Sequence, residues 1–249
     1  MAFFTALQFL TIIPLPAMLR GRSKGTGESL PYFPLIGLLM GALLLLLHYV
    51  LSFILPQAVV FALIMIALVI LGGAHHVDGL MDTFDGMVAG KTLQRRLEIM
   101  SDNKVGAFGI TALVLLFLLK YFALYSNPAV VPTLLLMPVL SRWIMVSAIY
   151  TFPYARTAGM GLSFKHGATW PRFVAASIIT VAICATFLSW PGIVLMATVW
   201  CLSMPVLCLF RSRFGGLTGD NYGAINEISE VLTALLMIII IQFLGQYMP

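Results

Sequence analysis

The chain has 249 residues, of which 61% are hydrophobic and 9% charged, with a net charge of +5. Ordinary soluble domains are roughly 45–50% apolar and 25% charged, and a soluble fold of this size has no place to hide so much apolar area. Soluble, disordered, collagenous and disulfide-framework classes are thereby excluded, leaving an all-α, polytopic integral membrane bundle of one domain, 1–249. The basic residues are spread over several loops, so the positive charge does not call for nucleic acid. Cys184, Cys201 and Cys208 lie in apolar runs without CxxC spacing, and no disulfide or zinc site is expected of them. No basic residue precedes the apolar N-terminus, so no cleavable leader is expected.

In chain order, segment 2–18 is apolar but holds Pro14 and Pro16; it spans, re-enters or lies in the interface. Seven stretches follow with the length and apolarity of membrane helices: 32–55, 57–77, 107–126, 129–150, 172–189, 191–210 and 231–247. Pro56, Pro128, Pro132 and Pro191 mark the short breaks between neighbours. Basic residues occupy every second connection: Arg20, Arg22 and Lys24; Lys91, Arg95, Arg96 and Lys104; Arg156, Lys165 and Arg172; Arg211 and Arg213. The connections near 56, 127–132 and 190 carry none. This alternation places the basic loops in the cytoplasm. All nine acids fall in or beside those loops, which favours an active site on that face.

The most informative stretch is 75–86. Asp78, Asp82 and Asp85, at i, i+4 and i+7, project from one helical face within about 60°. Three carboxylates crowded at the end of an apolar span repel one another unless a cation neutralises them, and hard oxygen ligands suit Mg²⁺ or Mn²⁺. A solvated helix end carrying incidental acids is the plain alternative. His75 joins that face if the helix is unbroken, and His76 lies opposite.

A second set, Arg95, Glu98 and Asp102, also shares one face. Surface i,i+3 ion pairing explains it as well as a substrate or metal role does. Lys120, deep in its span, reads as snorkelling or pairing. Arg142, expected near the cytoplasmic end of its span, either snorkels to headgroups or clamps a phosphate. In the third set, Gly215, Gly216, Thr218 and Gly219 precede Asp220, and Glu227 follows seven residues on. Glycines ahead of a helix start let backbone amides approach a phosphate, while Asp220 is also a candidate N-cap. Asp220 and Glu227 at i, i+7 would face one site. No P-loop or dinucleotide fingerprint is present.

These residues resemble the cobalamin synthase family, the adenosylcobinamide-GDP ribazoletransferases. The family's His-x-Asp-Gly-Leu-x-Asp-Thr-x-Asp-Gly is met at His76–Gly86, its Arg-x-x-Glu-Ile-Met-x-Asp at Arg95–Asp102, and its Gly-Gly-x-Thr-Gly-Asp at Gly215–Asp220. Gly106 and Gly109 follow the second motif, and the early Phe-Pro-Leu-Ile-Gly run stands at Phe33–Gly37. Met81 and the pair Asn221-Tyr222 depart from the usual residues, which touches substrate fit more than chemistry.

The resemblance implies transfer of the adenosylcobinamide phosphate group from adenosylcobinamide-GDP to α-ribazole or its 5′-phosphate. GMP would leave in a Mg²⁺-dependent reaction, with Mn²⁺ as a substitute, at the inner membrane of a bacterium. It implies metal on Asp78, Asp82 and Asp85 and catalytic roles for Asp82, Asp85, Asp220 and Glu227. His76, Arg95, Glu98, Asp102, Arg142, Gly215, Gly216, Thr218 and Gly219 would then contact substrate. Partners are these small molecules and the lipid bilayer, with oligomeric state open. Two other readings stand beside it. A CDP-alcohol phosphotransferase shares the chemistry, but its aspartate spacing is not met by Asp-x₃-Asp-x₂-Asp. A transporter or channel uses membrane carboxylates, but at the midplane and within inverted repeats.

Overall fold

The computed structural model describes residues 1–16, 26–102 and 104–247; Arg20, Arg22 and Lys24 of the expected first basic loop lie outside the described residues. Among the described residues the structure is helical, apart from one isolated parallel bridge between Tyr154 and Leu217. Helix α1 (Ala2–Leu10) is followed by a 3₁₀ segment (Thr26–Tyr32) that runs into α2 (Phe33–Leu51). Then come α3 (Gln57–Leu71), α4 (His75–Ala89), α5 (Leu93–Ile99), α6 (Ala107–Tyr125), α7 (Val130–Thr151), α8 (Met160–His166), α9 (Trp170–Phe214) and α10 (Gly219–Tyr247).

Five helices are long and apolar enough to cross a membrane, or six if the α3–α4 pair, bent by 88°, counts as one broken span. Ser189, at φ 53° and ψ −140°, breaks α9 into arms 170–188 and 190–214. Gly192 lies against the carbonyl of Cys184, eight residues back, so the arms form a hairpin rather than one rod. The hairpin sits where Pro191 marked a break and accounts for the expected pair of spans.

Residues 2–16 of the N-terminal segment are described, and 17–18 lie outside the described residues. Helix α1 has nine residues, about 14 Å at 1.5 Å per residue, too short to cross a bilayer. It buries Ala6, Leu7 and Leu10, and Phe9 packs on Phe164 of α8 with ring centroids 4.4 Å apart. Helix α7 is buried without a break from Thr133 to Ile149. Apart from a few polar side chains, Arg142 the one charge among them, it is apolar around its circumference, as the central helix of a bundle must be, and α2, α9 and α10 pack around it.

The loops sort by charge. At one end Arg96 Nη1 donates to the Arg213 carbonyl at 3.0 Å. Ala155 N–H donates to the Leu217 carbonyl (2.9 Å) and Leu217 N–H to that of Pro153 (2.8 Å). Lys165 Nζ donates to the Ile149 and Tyr150 carbonyls near the C-terminus of α7 (2.9 and 2.8 Å), and burial pulls its amine below the usual lysine range. At the other end the bare connections meet, with Tyr121 Oη donating to the Ala58 carbonyl and Asn127 Nδ2 to that of Ala234. The basic connections among the described residues therefore share one end of the bundle.

One expectation fails. The last span begins at Gly219 rather than 231, so Glu227 and Glu230 are interior to a membrane helix and not beside a loop. Arg142 is likewise mid-helix in α7, not at its end.

Candidate active site

Gly73 (φ 65°) and Ala74 (φ 60°) both adopt the left-handed conformation, and these two residues make the 88° turn from α3 into α4. The turn sends α4 across the basic end of the bundle, carrying the three aspartates with it. Gly79 packs against the start of α10: a Cβ there would stand 2.7 Å from the Asp220 carbonyl oxygen. Only a glycine lets the two backbones approach so closely. Asn221 Nδ2 donates to Thr83 Oγ1 at 3.0 Å and pins the same crossing.

Helix α10 begins with a reciprocal cap. Thr218 N–H donates to Asn221 Oδ1 (2.9 Å), and Asn221 N–H donates to Thr218 Oγ1 (3.2 Å). Thr218 therefore takes the capping role considered for Asp220, whose carboxylate is left for other partners. Gly215 (φ 71°) is the left-handed C-cap of α9, and Gly216 is wedged against the backbone of 153–155. The glycines and Thr218, expected to contact substrate, build the turn that carries Asp220; Gly216 and Thr218 are buried, while Gly215 and Gly219 are exposed. Gly219 alone faces open space.

The single face of α4 divides into two uses. Asp85 is buried, and its carboxylate accepts the backbone amides of Gly106 (2.8 Å) and Gly109 (2.9 Å). It caps the N-terminus of α6 from a neighbouring helix, an arrangement favoured by the orphan amides and the helix dipole there. Asp85 is thus placed otherwise than the shared face suggested. Asp78 and Asp82 line an open cleft of about 100 Å³ with Asp102 and Lys104. Asp78, Asp220 and Asp85 are the carboxylates whose charge acts on Asp82. Asp220 pairs with Arg156, Nη2 to Oδ2, at 3.0 Å. Tyr154, beside this pair, is half-buried, and burial pushes its phenol above the usual tyrosine range, so it stays neutral.

The second motif separates. Asp102 joins the cleft, whereas Arg95 and Glu98 are exposed and pair with each other at 3.0 Å. Theirs is the surface i,i+3 pair of the plainer reading, worth little to stability.

Glu227 does not meet Asp220. It lies two turns deeper and, with Glu230, receives Lys120 Nζ at 2.6 and 2.7 Å. Arg142 Nη1 donates to Glu230, and Asn226 Nδ2 donates to the same oxygen at 3.2 Å. Lys120, Arg142 and Glu230 are at most 2% exposed. The quartet is electrically balanced, which is what permits four charges inside a bundle. Arg142 and Glu227, expected as substrate and catalytic groups, are occupied with this pairing. His76 lies beside them, lining a small cavity with Arg142 and Glu227. The signal for the quartet was present in Lys120, a cation far from any loop, but its partners lie more than 100 residues away in sequence.

As to metal, no three His, Cys, Asp or Glu side chains among the described residues converge closely enough to hold an ion alone. The expected set of Asp78, Asp82 and Asp85 therefore does not form a three-carboxylate site, and a Mg²⁺ ion here would take one or two carboxylates and complete its shell with water and substrate phosphates. Asp78 and Asp82 are the accessible donors, with Asp220 across the α4–α10 contact.

A helical membrane bundle with carboxylates gathered at its basic end defines a class of integral membrane protein. The chain matches the family described as Cobalamin-5-phosphate synthase over residues 2–238, and it belongs to that family. Among similar proteins, the adenosylcobinamide-GDP ribazoletransferase of Desulfitobacterium hafniense (strain Y51) is 40% identical, over 92% of this chain and 93% of the relative. Those of Geotalea daltonii (37%; 96% and 97%) and Desulforamulus reducens (35%; 94% and 94%) follow. No solved structure matches the chain. Family membership makes the chain a transferase.

Proposed function

We propose that the chain transfers the adenosylcobinamide phosphate group from adenosylcobinamide-GDP to α-ribazole or α-ribazole 5′-phosphate. GMP is released, and a divalent cation, Mg²⁺ or Mn²⁺, is required. The observation that carries this reading is the cleft at the basic end, lined by Asp78 and Asp82 of α4, with Asp220 of α10 close behind them where Gly79 packs on its backbone. A ribose hydroxyl of ribazole attacks the cobinamide-linked phosphorus, the bond to the GMP oxygen breaks, and the hydroxyl proton passes to a base. A bound cation supplies charge neutralisation for the diphosphate and the departing GMP.

The chain's residues do the rest. Asp78 and Asp82 provide the anionic donor set on a helix held rigidly by the Gly79 contact and the Thr83–Asn221 bond. Asp220, half-buried at the first turn of α10, completes that donor set from across the helix contact. Lys104 on the cleft wall, with Arg95 and Lys91 on exposed positions nearby in sequence, draws the anionic nucleotide to this end.

The basic loops support a cytoplasmic face for the cleft, by the positive-inside rule, and the reading takes the membrane to be a bacterial inner membrane. Sealed vesicles test reaction, metal and face together. Inverted vesicles supplied externally with adenosylcobinamide-GDP, α-ribazole and Mg²⁺ should release GMP, and excess chelator should stop them. Right-side-out vesicles should release none. Chelator-resistant turnover would remove the metal, and turnover in right-side-out vesicles would reverse the topology.

A further inference from the structure

Arg156 belongs to none of the motifs that define the site, yet the fold delivers it there by a specific device. The strand-like pairing of 153–155 with Leu217, two backbone hydrogen bonds made possible by the absence of a side chain at Gly216, aligns the two loops. Its consequence is the 3.0 Å contact of Arg156 Nη2 with Asp220 Oδ2. That Nη2 is buried and in ionic contact, but it is not aligned for a proper hydrogen bond. Among the described residues no other ion pair or hydrogen bond engages the guanidinium. A guanidinium has five donors in a planar fork suited to bidentate phosphate binding. Here nearly all of them are unspent, at the edge of a carboxylate cluster whose charge it also offsets at Asp82.

We propose that Arg156 is an exchangeable counter-ion: it holds Asp220 while no divalent cation is bound, and turns its fork to the diphosphate of the nucleotide substrate once a cation takes that carboxylate. Arg156 is then a substrate-binding residue for the diphosphate and, without substrate, a competitor of the metal. The inference rests on the metal-dependent reading above. The pairing of the loops is made by backbone, so the fold does not depend on the Arg156 side chain.

The test measures Mn²⁺ binding to purified protein in detergent by electron paramagnetic resonance, without substrate, alongside steady-state kinetics with adenosylcobinamide-GDP. Arg156→Ala should bind Mn²⁺ about threefold more tightly or better, since a competing ion pair is gone. It should raise KM for adenosylcobinamide-GDP by roughly tenfold or more, the loss of a charged hydrogen bond, with a smaller effect on kcat. Arg156→Lys, which keeps the charge without the fork, should leave Mn²⁺ affinity near wild type and raise KM by an intermediate factor. A residue that merely braces the loop would alter thermal stability without tightening Mn²⁺ binding. Wild-type protein that binds no Mn²⁺ would remove the metal reading and this inference with it. Wild-type binding with no tightening in Arg156→Ala, or an unchanged KM, would overturn the inference alone.

Discussion

Asp82→Asn should reduce GMP release by roughly a thousandfold or more, equivalent to about 4 kcal/mol of transition-state stabilisation. Asp82 is half-buried in the wall of the cleft, between exposed Asp78 and the capping Asp85 on its own helix. Asp85 is committed to the α6 amides, so Asp82 is the inner carboxylate of α4 left to hold a cation. Asparagine keeps the volume and loses the charge, which spares the Gly79 and Thr83 contacts that seat α4 on α10. The stability effect has a definite sign. Without metal, the charged form of Asp82 is disfavoured first by burial and then by the charges of Asp78, Asp220 and Asp85, so removing its charge relieves both costs. The cation-free variant should melt no lower than wild type. GMP assays and thermal unfolding in chelator check both halves. Retention of more than about a tenth of wild-type turnover, a change of only ~1.4 kcal/mol, would show that Asp82 does not serve the chemical step.

Lys120→Met should cripple folding rather than chemistry. Lys120 is the shared partner of Glu227 and Glu230, and with it gone only Arg142 remains against two interior carboxylates. Breaking a buried ion pair typically costs about 3–5 kcal/mol because a charge is left uncompensated, a large share of any protein's stability. The variant should accumulate poorly and unfold at lower temperature. Adding Glu227→Gln restores the balance, leaving Arg142 with Glu230, and should recover much of the loss. A double variant no better than the single would mean that shape, not charge, holds α6 to α10. The same comparison separates Glu227 from the chemistry: once balance is restored, turnover per folded molecule should return.

Composition and loop charge made the bundle legible, because a membrane interior admits few alternatives to apolar helices and alternate basic connections follow from insertion. The proline at 191 gave away the hairpin at Ser189. Periodicity, however, tells which face of a helix a residue occupies and not what that face meets. Asp85 shares its face with Asp82, but the start of α6 arrives beside it from 21 residues downstream and claims both its oxygens. Glu227 shares a helix with Asp220, but their separation of seven residues is about 10 Å of rise, enough to carry one from the cleft to the bundle interior. Gly215 and Gly216 look like a phosphate cradle; the turn and the close approach of 153–155 consume the freedom that suggested it. Arg156, in a loop without periodicity, carried no local signal at all, since its place depends on a backbone pairing between segments that no pattern reveals.

The most direct measurement is the position of Mn²⁺ by anomalous scattering in crystals grown with a non-hydrolysable diphosphate analogue. One or more peaks at the α4 wall of the cleft, in contact with Asp82 and at least one of Asp78 and Asp220, is the expected result. Mn²⁺ bound elsewhere, or a diphosphate seated in the cleft with no cation beside those carboxylates, would contradict it.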